Sequence, residues 1–314
     1  YSTDQAPTIH IKEDSAKRGV IEVVSTLQIP RQATPQLDYE QRAVIDITHR
    51  QATRSQETVA LTLHTFITLE ADSSALKFDV TYDNQALDHR LRVLFPTELE
   101  ATTNEAESVF EVVQRPNVPE KYWENPTNPQ RQQAFVNLHD EKVGVTLAND
   151  GLPEYEILPK DGTIALTMLR CVGELGDWGY FLTPEAQCQG AQRASFALIF
   201  HDETTADRLQ SYQVARTLYL PILTVTTSRH QGTRSAEGTW LEVNADEQAF
   251  AVTGVERDQA SDLIVRGYNL DSQAHNIDVQ VADQKGELVD FQSQHLSETT
   301  APLKAAEIRN YRFK

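Results

Sequence analysis

Methionine and cysteine are nearly absent. There is one methionine, Met168, and there are two cysteines, Cys171 and Cys188, in 314 residues. Two thiols close at most one bridge, so no disulfide framework organises this chain. They read as buried or half-buried thiols of a reducing compartment, and a cytoplasmic location is expected. Basic residues are also scarce: 28 Lys+Arg stand against 46 Asp+Glu, for a formal net charge of -18. Such a surface cannot neutralise phosphates over a broad face, which excludes nucleic acid as a partner, and an anionic bilayer repels it. No apolar run approaches the roughly 20 residues of a membrane helix, so no membrane role is expected. The chain opens on Tyr1 without a basic, apolar leader. It is expected to be a processed product or an excised part of a longer polypeptide.

What is present is alternation. Leu76, Phe78, Val80 and Tyr82 alternate with Lys77, Asp79 and Thr81. Ala43, Ile45 and Ile47 do the same, as do Leu91, Val93 and Phe95, then Phe196, Leu198 and Phe200, then Ile277, Val279 and Val281. Period two puts one face in and one face out, the mark of antiparallel strands. Turn chemistry separates the runs at Asp83-Asn84, Asn149-Asp150-Gly151, Lys160-Asp161-Gly162 and Asp271-Ser272. One short helix is predicted from Thr204 to Arg216, on the spacing of Ala206, Leu209 and Tyr212. Many short strands with frequent turns predict an all-β protein of sandwich type.

The strand-rich region is too long for one small sandwich. A large antiparallel double sheet, or two stacked sandwiches, over residues 1–220, followed by a smaller β-sandwich over 221–314, accommodates it. The boundary falls at Leu220-Pro221, ahead of the polar, unpatterned Thr226 to Gly238 stretch. The proline-rich Gln114 to Gln133 segment, with Tyr122 and Trp123, predicts a long loop or a sheet edge.

Few motifs carry chemistry. No two histidines share a helical spacing and no Cys-x-x-Cys occurs, so no metal site is expected. Asp88-His89, His139-Asp140 and His201-Asp202 are neighbours, but adjacent strand residues face opposite sides and do not converge on one ion. Gly173, Gly176 and Gly179 lack a phosphate-loop ending and predict a turn between strands. Asp83 to Arg92 is richer. Arg90 and Arg92 share one face, so they need acceptors, either carboxylates on a neighbouring strand or a polar ligand.

Asp83-Asn84, then Asp88-His89-Arg90-Leu91-Arg92 and Phe95-Pro96-Thr97, resemble the carboxyl-terminal region of glycoside hydrolase family 38 α-mannosidases, nearest the bacterial, mannosylglycerate hydrolase-like branch. Further matches follow in order. They are Gly144-Val145, Ala148-Asn149-Asp150-Gly151-Leu152, Tyr155-Glu156, Ile164 to Arg170, Thr183-Pro184-Glu185-Ala186-Gln187-Cys188, Ile264-Val265-Arg266, Tyr268-Asn269 and Pro302-Leu303-Lys304.

The resemblance implies a galactose-mutarotase-like β-supersandwich followed by a small sandwich. It implies retaining hydrolysis of an α-mannoside by a nucleophile and a zinc ion housed in an amino-terminal barrel. No segment here matches that barrel, so no catalytic residue, metal ligand or cofactor is assigned to this chain, and zinc is expected only in the full-length enzyme. Arg115, His89 and Arg90 are carried over as residues lining the sugar pocket, and Trp123 as a residue packed against the missing domain or, alternatively, a sugar platform. The expected partners are the catalytic barrel and helical domains of the same polypeptide, with a homo-oligomer allowed. An apolar patch is expected where those domains would pack. Two rivals stand beside this reading: a stand-alone carbohydrate-binding sandwich, and a structural or adhesive surface sandwich.

Overall fold

The computed structural model describes residues 5–119, 128–176, 178–229, 231–232, 235, 237–296 and 301–314. Tyr1, Tyr122 and Trp123 lie outside the described residues. In chain order the strands are β1 (Thr8–Asp14), β2 (Arg18–Pro30), β3 (Thr58–Glu70), β4 (Ala75–Asn84), β5 (Arg90–Phe95), β6 (Thr103–Glu107), β7 (Val112–Pro116), β8 (Gln130–Arg131), β9 (Phe135–His139), β10 (Val143–Asn149), β11 (Glu154–Leu158), β12 (Thr163–Arg170), β13 (Gly190–Asp202), β14 (Leu241–Ala245), β15 (Phe250–Arg257), β16 (Leu263–Asn269), β17 (Ile277–Val281), β18 (Gln284–Lys285), β19 (Glu287–Val289) and β20 (Ile308–Phe313). Two α-helices accompany them, α1 (Gln36–Arg42) and α2 (Thr205–Thr217). The protein is all-β, built of antiparallel sheets, as the alternation predicts.

The chain forms two compact units. The first comprises Tyr1–Glu100, Asn117–Arg131 and Leu147–Ile199; the second comprises Ala101–Pro116, Gln132–Thr146 and Phe200–Lys314. In the first unit the sheet runs β1-β2-β3-β4-β13, and a four-stranded sheet runs β5-β12-β11-β8. Phe78 on β4 stacks on Phe196 of β13 at 5.3 Å, and Phe95 of β5 meets both edge-on. Large apolar rings at period-two positions thus join two layers. Register extends the same row outward through Ile67 and Ile21 to Ile11. There it ends in an open apolar groove of about 390 Å³, lined by Ile11, Val20, Ile21, Ile67 and Leu69.

One expectation is overturned. Ala43, Ile45 and Ile47 do not form a strand: α1 closes at Arg42, Val44 takes a left-handed φ of 52°, and Ile47–His49 is a 3-10 turn capped by Asp46. The buried carboxylate of Glu40 decides this. It accepts from the Gln36 side chain and from the backbone N–H groups of Gln51 and Ala52, which folds the segment back on itself. Those hydrogen bonds replace a sheet ladder that has no partner here.

In the second unit β9, β6 and β7 follow one another, with β7 at the edge, where Pro116 costs no ladder bond. The predicted helix is α2. Thr204 caps it, and Leu209 and Tyr212 are fully buried, Tyr212 stacking on Phe135 at 4.3 Å. Beyond the helix, β15-β16-β20-β19 and β14-β17-β18 enclose a core of Phe250, Val265, Val279, Val281, Leu303, Tyr311 and Phe313.

A buried polar chain crosses this unit. The Nδ1–H of His201 donates to the Asp202 carbonyl at 2.8 Å, so its Nε2 accepts from the Asn137 amide at 2.7 Å. The Asn137 oxygen accepts from His139 Nδ1 at 2.8 Å. Its nitrogen also donates to Thr146, whose hydroxyl pairs with Ser211 of α2 at 2.7 Å. An accepting Nε2 makes His201 neutral, and burial lowers the pKa values of both imidazoles. Gly144 makes room for them: a Cβ there would lie 2.2 Å from His201 Cε1.

Two outcomes follow. Gly144→Ala should destabilise the chain by about 3 kcal/mol in denaturant titration, because its methyl would fall 2.2 Å from the His201 ring and 2.7 Å from His139 Cβ. The two histidines should make stability depend on pH. Their folded pKa values lie below the unfolded value of 6.5. Their contribution is therefore complete above that pH and lost as pH falls from it through the folded values. The variant His201→Asn should flatten melting temperature against pH in that window, above the carboxylate range.

Candidate functional site

The turn between β4 and β5 holds the densest set of sequence-predicted residues. Asn84 is fully buried. Its amide nitrogen lies within donor range of the Ala86, Gln187 and Cys188 carbonyls and of Cys171 Sγ at 3.4 Å, while its oxygen accepts from Ala86 N–H. Asp88 takes a left-handed φ of 53°. Gln187 holds it from one side, donating to the carboxylate at 2.5 Å and accepting from the Asp88 N–H at 2.8 Å. Arg54 holds the other side, donating to the carbonyls of Pro30, Leu87 and Asp88. A strained residue persists here because its surroundings over-determine it.

His89 follows. Both ring nitrogens are buried without a partner in hydrogen-bond geometry. Burial lowers its pKa and the Arg54 charge adds to that, while the Leu87 carbonyl acts weakly the other way. A neutral imidazole results.

Arg90 and Arg92 find their acceptors on β11. Arg90 lies 3.2 Å from Glu154 and 3.4 Å from Glu156, and Arg92 lies 2.6 Å from Glu156. Arg170, opposite Arg90 on β12, pairs with Glu154 at 2.7 Å. Burial alone would raise the Glu154 pKa, but hydrogen bonds from Arg170 and Thr167 and the nearby guanidinium charges bring it below the usual range. Three cations and two carboxylates thus tile one face of this sheet.

Arg115 is half-buried on β7, opposite Asn104, in the second unit, whereas His89 and Arg90 belong to the first. The second unit has a polar cluster that sequence reasoning missed. Glu105 accepts from the Tyr212 hydroxyl and from Arg208. Arg208 also reaches Asp271 at 3.3 Å, and Asp271 takes the His275 Nε2–H at 2.8 Å. A small cavity of about 80 Å³ lies against Glu105, Arg208, Tyr212 and Asp271. Only the i, i+4 spacing of Arg208 and Tyr212 hinted at it.

Glu247, Asp271 and His275 place one ligand atom each within 4.8 Å of one another. They do not fit a zinc ion. The Asp271 carboxylate is already taken by His275, by Arg208 and by Ser272 N–H, and a guanidinium in contact repels a cation.

The comparisons with known proteins agree with this layout. Residues 25–174 match the glycosyl hydrolases family 38 C-terminal domain. This chain carries that domain. A "Putative mannosylglycerate hydrolase" of Halalkalibacterium halodurans is 43% identical over 202 residues, 64% of this chain and 22% of that protein. An α-mannosidase from Enterococcus faecalis V583 superposes with a TM-score of 0.92 at 42% identity, covering 98% of this chain and 35% of that one. A second family 38 glycosyl hydrolase structure from Enterococcus faecalis gives 0.89 at 41%. The chain therefore spans about a third of the solved relatives and 22% of the curated one. Within this family 38 domain, Asp88-His89-Arg90 is a rigid corner whose charges are largely balanced internally.

Asn84 is the test of that rigidity. Asn84→Ala should cost about 3 kcal/mol, because it strands several buried carbonyls. Asn84→Asp should cost more, since it sets a carboxylate against them; paired denaturation curves distinguish the two.

Proposed function

We propose that this chain is the non-catalytic carboxyl-terminal β-region of a cytoplasmic α-mannosidase, with the nucleophile and zinc ion supplied by a barrel elsewhere in the polypeptide. The observation that carries the reading is the likeness to the Enterococcus faecalis α-mannosidase along nearly the whole chain. The reaction of the intact protein is then retaining hydrolysis through two carboxyl groups about 5–5.5 Å apart, one of which must be held protonated to act as an acid. Among the described residues, every carboxylate with a shifted pKa is shifted down, Glu154, Asp79 and Glu307 included. That is the opposite of what a general acid requires. Zinc in the full-length enzyme supplies a grip on sugar hydroxyls when bound.

In this reading the β-supersandwich spans residues 1–220 and the small sandwich 221–314, whose separate core supports the division. The two brace the barrel and helical domains; His89 and Arg90 of the first unit, and separately Arg115 of the second, are read as residues that face the sugar. Cys171 supports the reducing compartment: it is a buried free thiol whose pKa burial pushes up to about 11, which leaves it inert.

One observation favours a second reading, a stand-alone carbohydrate-binding module. Trp178 is 75% exposed and lies 4.7 Å from the Phe181 ring. The indole folds over Gly176 and the phenyl over Gly179, where a Cβ would lie 2.9 Å and 2.3 Å from them. Flat, exposed rings of this kind stack on sugars.

Two measurements decide between the readings. This chain alone should not hydrolyse aryl α-mannosides, whereas the intact polypeptide should, losing turnover on chelation; turnover by the isolated chain would remove the first reading. Titration of methyl α-mannoside should leave the tryptophan fluorescence of the isolated chain unchanged. A saturable change abolished in Trp178→Ala would instead establish the module.

A further inference from the structure

The segment that follows α2 is unlike any other in the second unit. Leu220 is 66% exposed, Ile222 and Leu223 are each 90% exposed, and Val225 is 88% exposed. No regular secondary structure runs from 221 to 228. The Leu220 N–H is tied to the Thr217 carbonyl at 3.0 Å, but among the described residues 221–227 make no hydrogen bond. Four aliphatic side chains and a run of free backbone groups thus face water together. Single exposed apolar residues are ordinary, but a contiguous run with open N–H and C=O groups is a template for pairing.

The spacing says how it is covered. In an extended chain Leu220 and Ile222 point one way and Leu223 and Val225 the other. A strand that lies on one surface needs one apolar face; apolar residues on both faces belong to a strand enclosed on both sides.

We propose that residues 220–225 are an apolar strap enclosed on both faces by another region of the same polypeptide. This rests on the reading of the chain as one part of a longer α-mannosidase. The occupant follows from length: 98% of this chain aligns to only 35% of the Enterococcus faecalis α-mannosidase, so in such a protein the greater part of the polypeptide lies outside this region. A tethered region meets the strap at an effective concentration near the millimolar range, far above that of a second copy.

Thermolysin, which cuts before large aliphatic residues, reads the strap directly. In the isolated chain the bonds preceding Ile222, Leu223 and Val225 should be among the first cut. In the intact polypeptide the same bonds should be cut about 100-fold more slowly, because cleavage then requires local opening. Leu223→Asp should leave the melting of the isolated chain unchanged while restoring fast cleavage in the intact polypeptide. Equal cleavage rates in the two proteins would overturn the proposal, as would unchanged protection in the Asp variant. Protection that rises with the concentration of the isolated chain would assign the strap to a second copy and overturn it too. The intact mass separates the underlying reading: a polypeptide with no further folded region removes that reading and the strap's occupant together.

Discussion

Glu107 is a carboxylate buried in the second unit, and it fixes that unit's frame. Arg216 donates to it at 2.6 Å, the Tyr268 hydroxyl at 2.8 Å and the backbone N–H of Ala134 at 3.0 Å. The Arg216 guanidinium also lies over the Tyr268 ring. One side chain thereby joins β6, α2, β16 and the approach to β9. An unpaired charge at such depth is prohibitive, so each partner is required in place. Glu105, two residues earlier on the same face, is matched by Arg208 and Tyr212, two turns and one turn before Arg216 on α2. A period of two on the strand meets a period of four on the helix, and the helix is locked against the sheet by charge as well as by Leu209.

The same constraint shapes the first unit with neutral groups. Asn84, Arg54 and Gln187 spend their polar atoms on main-chain groups of one turn and its neighbours, which holds Asp88 in a left-handed conformation and aims His89 and Arg90. Such a corner is stiff, because hydrogen bonds hold the left-handed residue from both sides. The Asp88 carboxylate is taken by Gln187, and Glu154 and Glu156 beside the corner are committed to arginines. Acid–base chemistry would need a carboxyl free to hold a proton near neutral pH, and an Arg–Glu ladder opposes that.

Strands with strict alternation were legible residue by residue: Leu76 to Tyr82, Phe196 to Leu198 and Ile277 to Val281 all pair as expected. The helix after Thr204 was legible in the three-residue spacing of Ala206, Leu209 and Tyr212; its Thr204 cap appeared only in the structure. Ala43 to Ile47 misled, because alternation over five residues says nothing about whether a partner strand exists, and the long-range bonds of Glu40 chose a helix and a turn. The acceptors of Arg90 and Arg92 were legible as a need but not as Glu154 and Glu156, which lie more than sixty residues away. The pairing of His139 with His201 was invisible for the same reason, since Asn137 bridges strands that the chain visits far apart.

The amino-acid sequence by itself determined the all-β class, the turns, the helix after Thr204 and the family likeness, because each is written in local spacing and in ordered motifs. Tertiary structure alone decided which buried charges meet and that Gly144 must stay small beneath His201, and it alone shows that residues 220–225 are left uncovered. The contacts join distant segments, and a one-dimensional pattern carries side-chain periodicity but not the identity of the neighbour across the sheet.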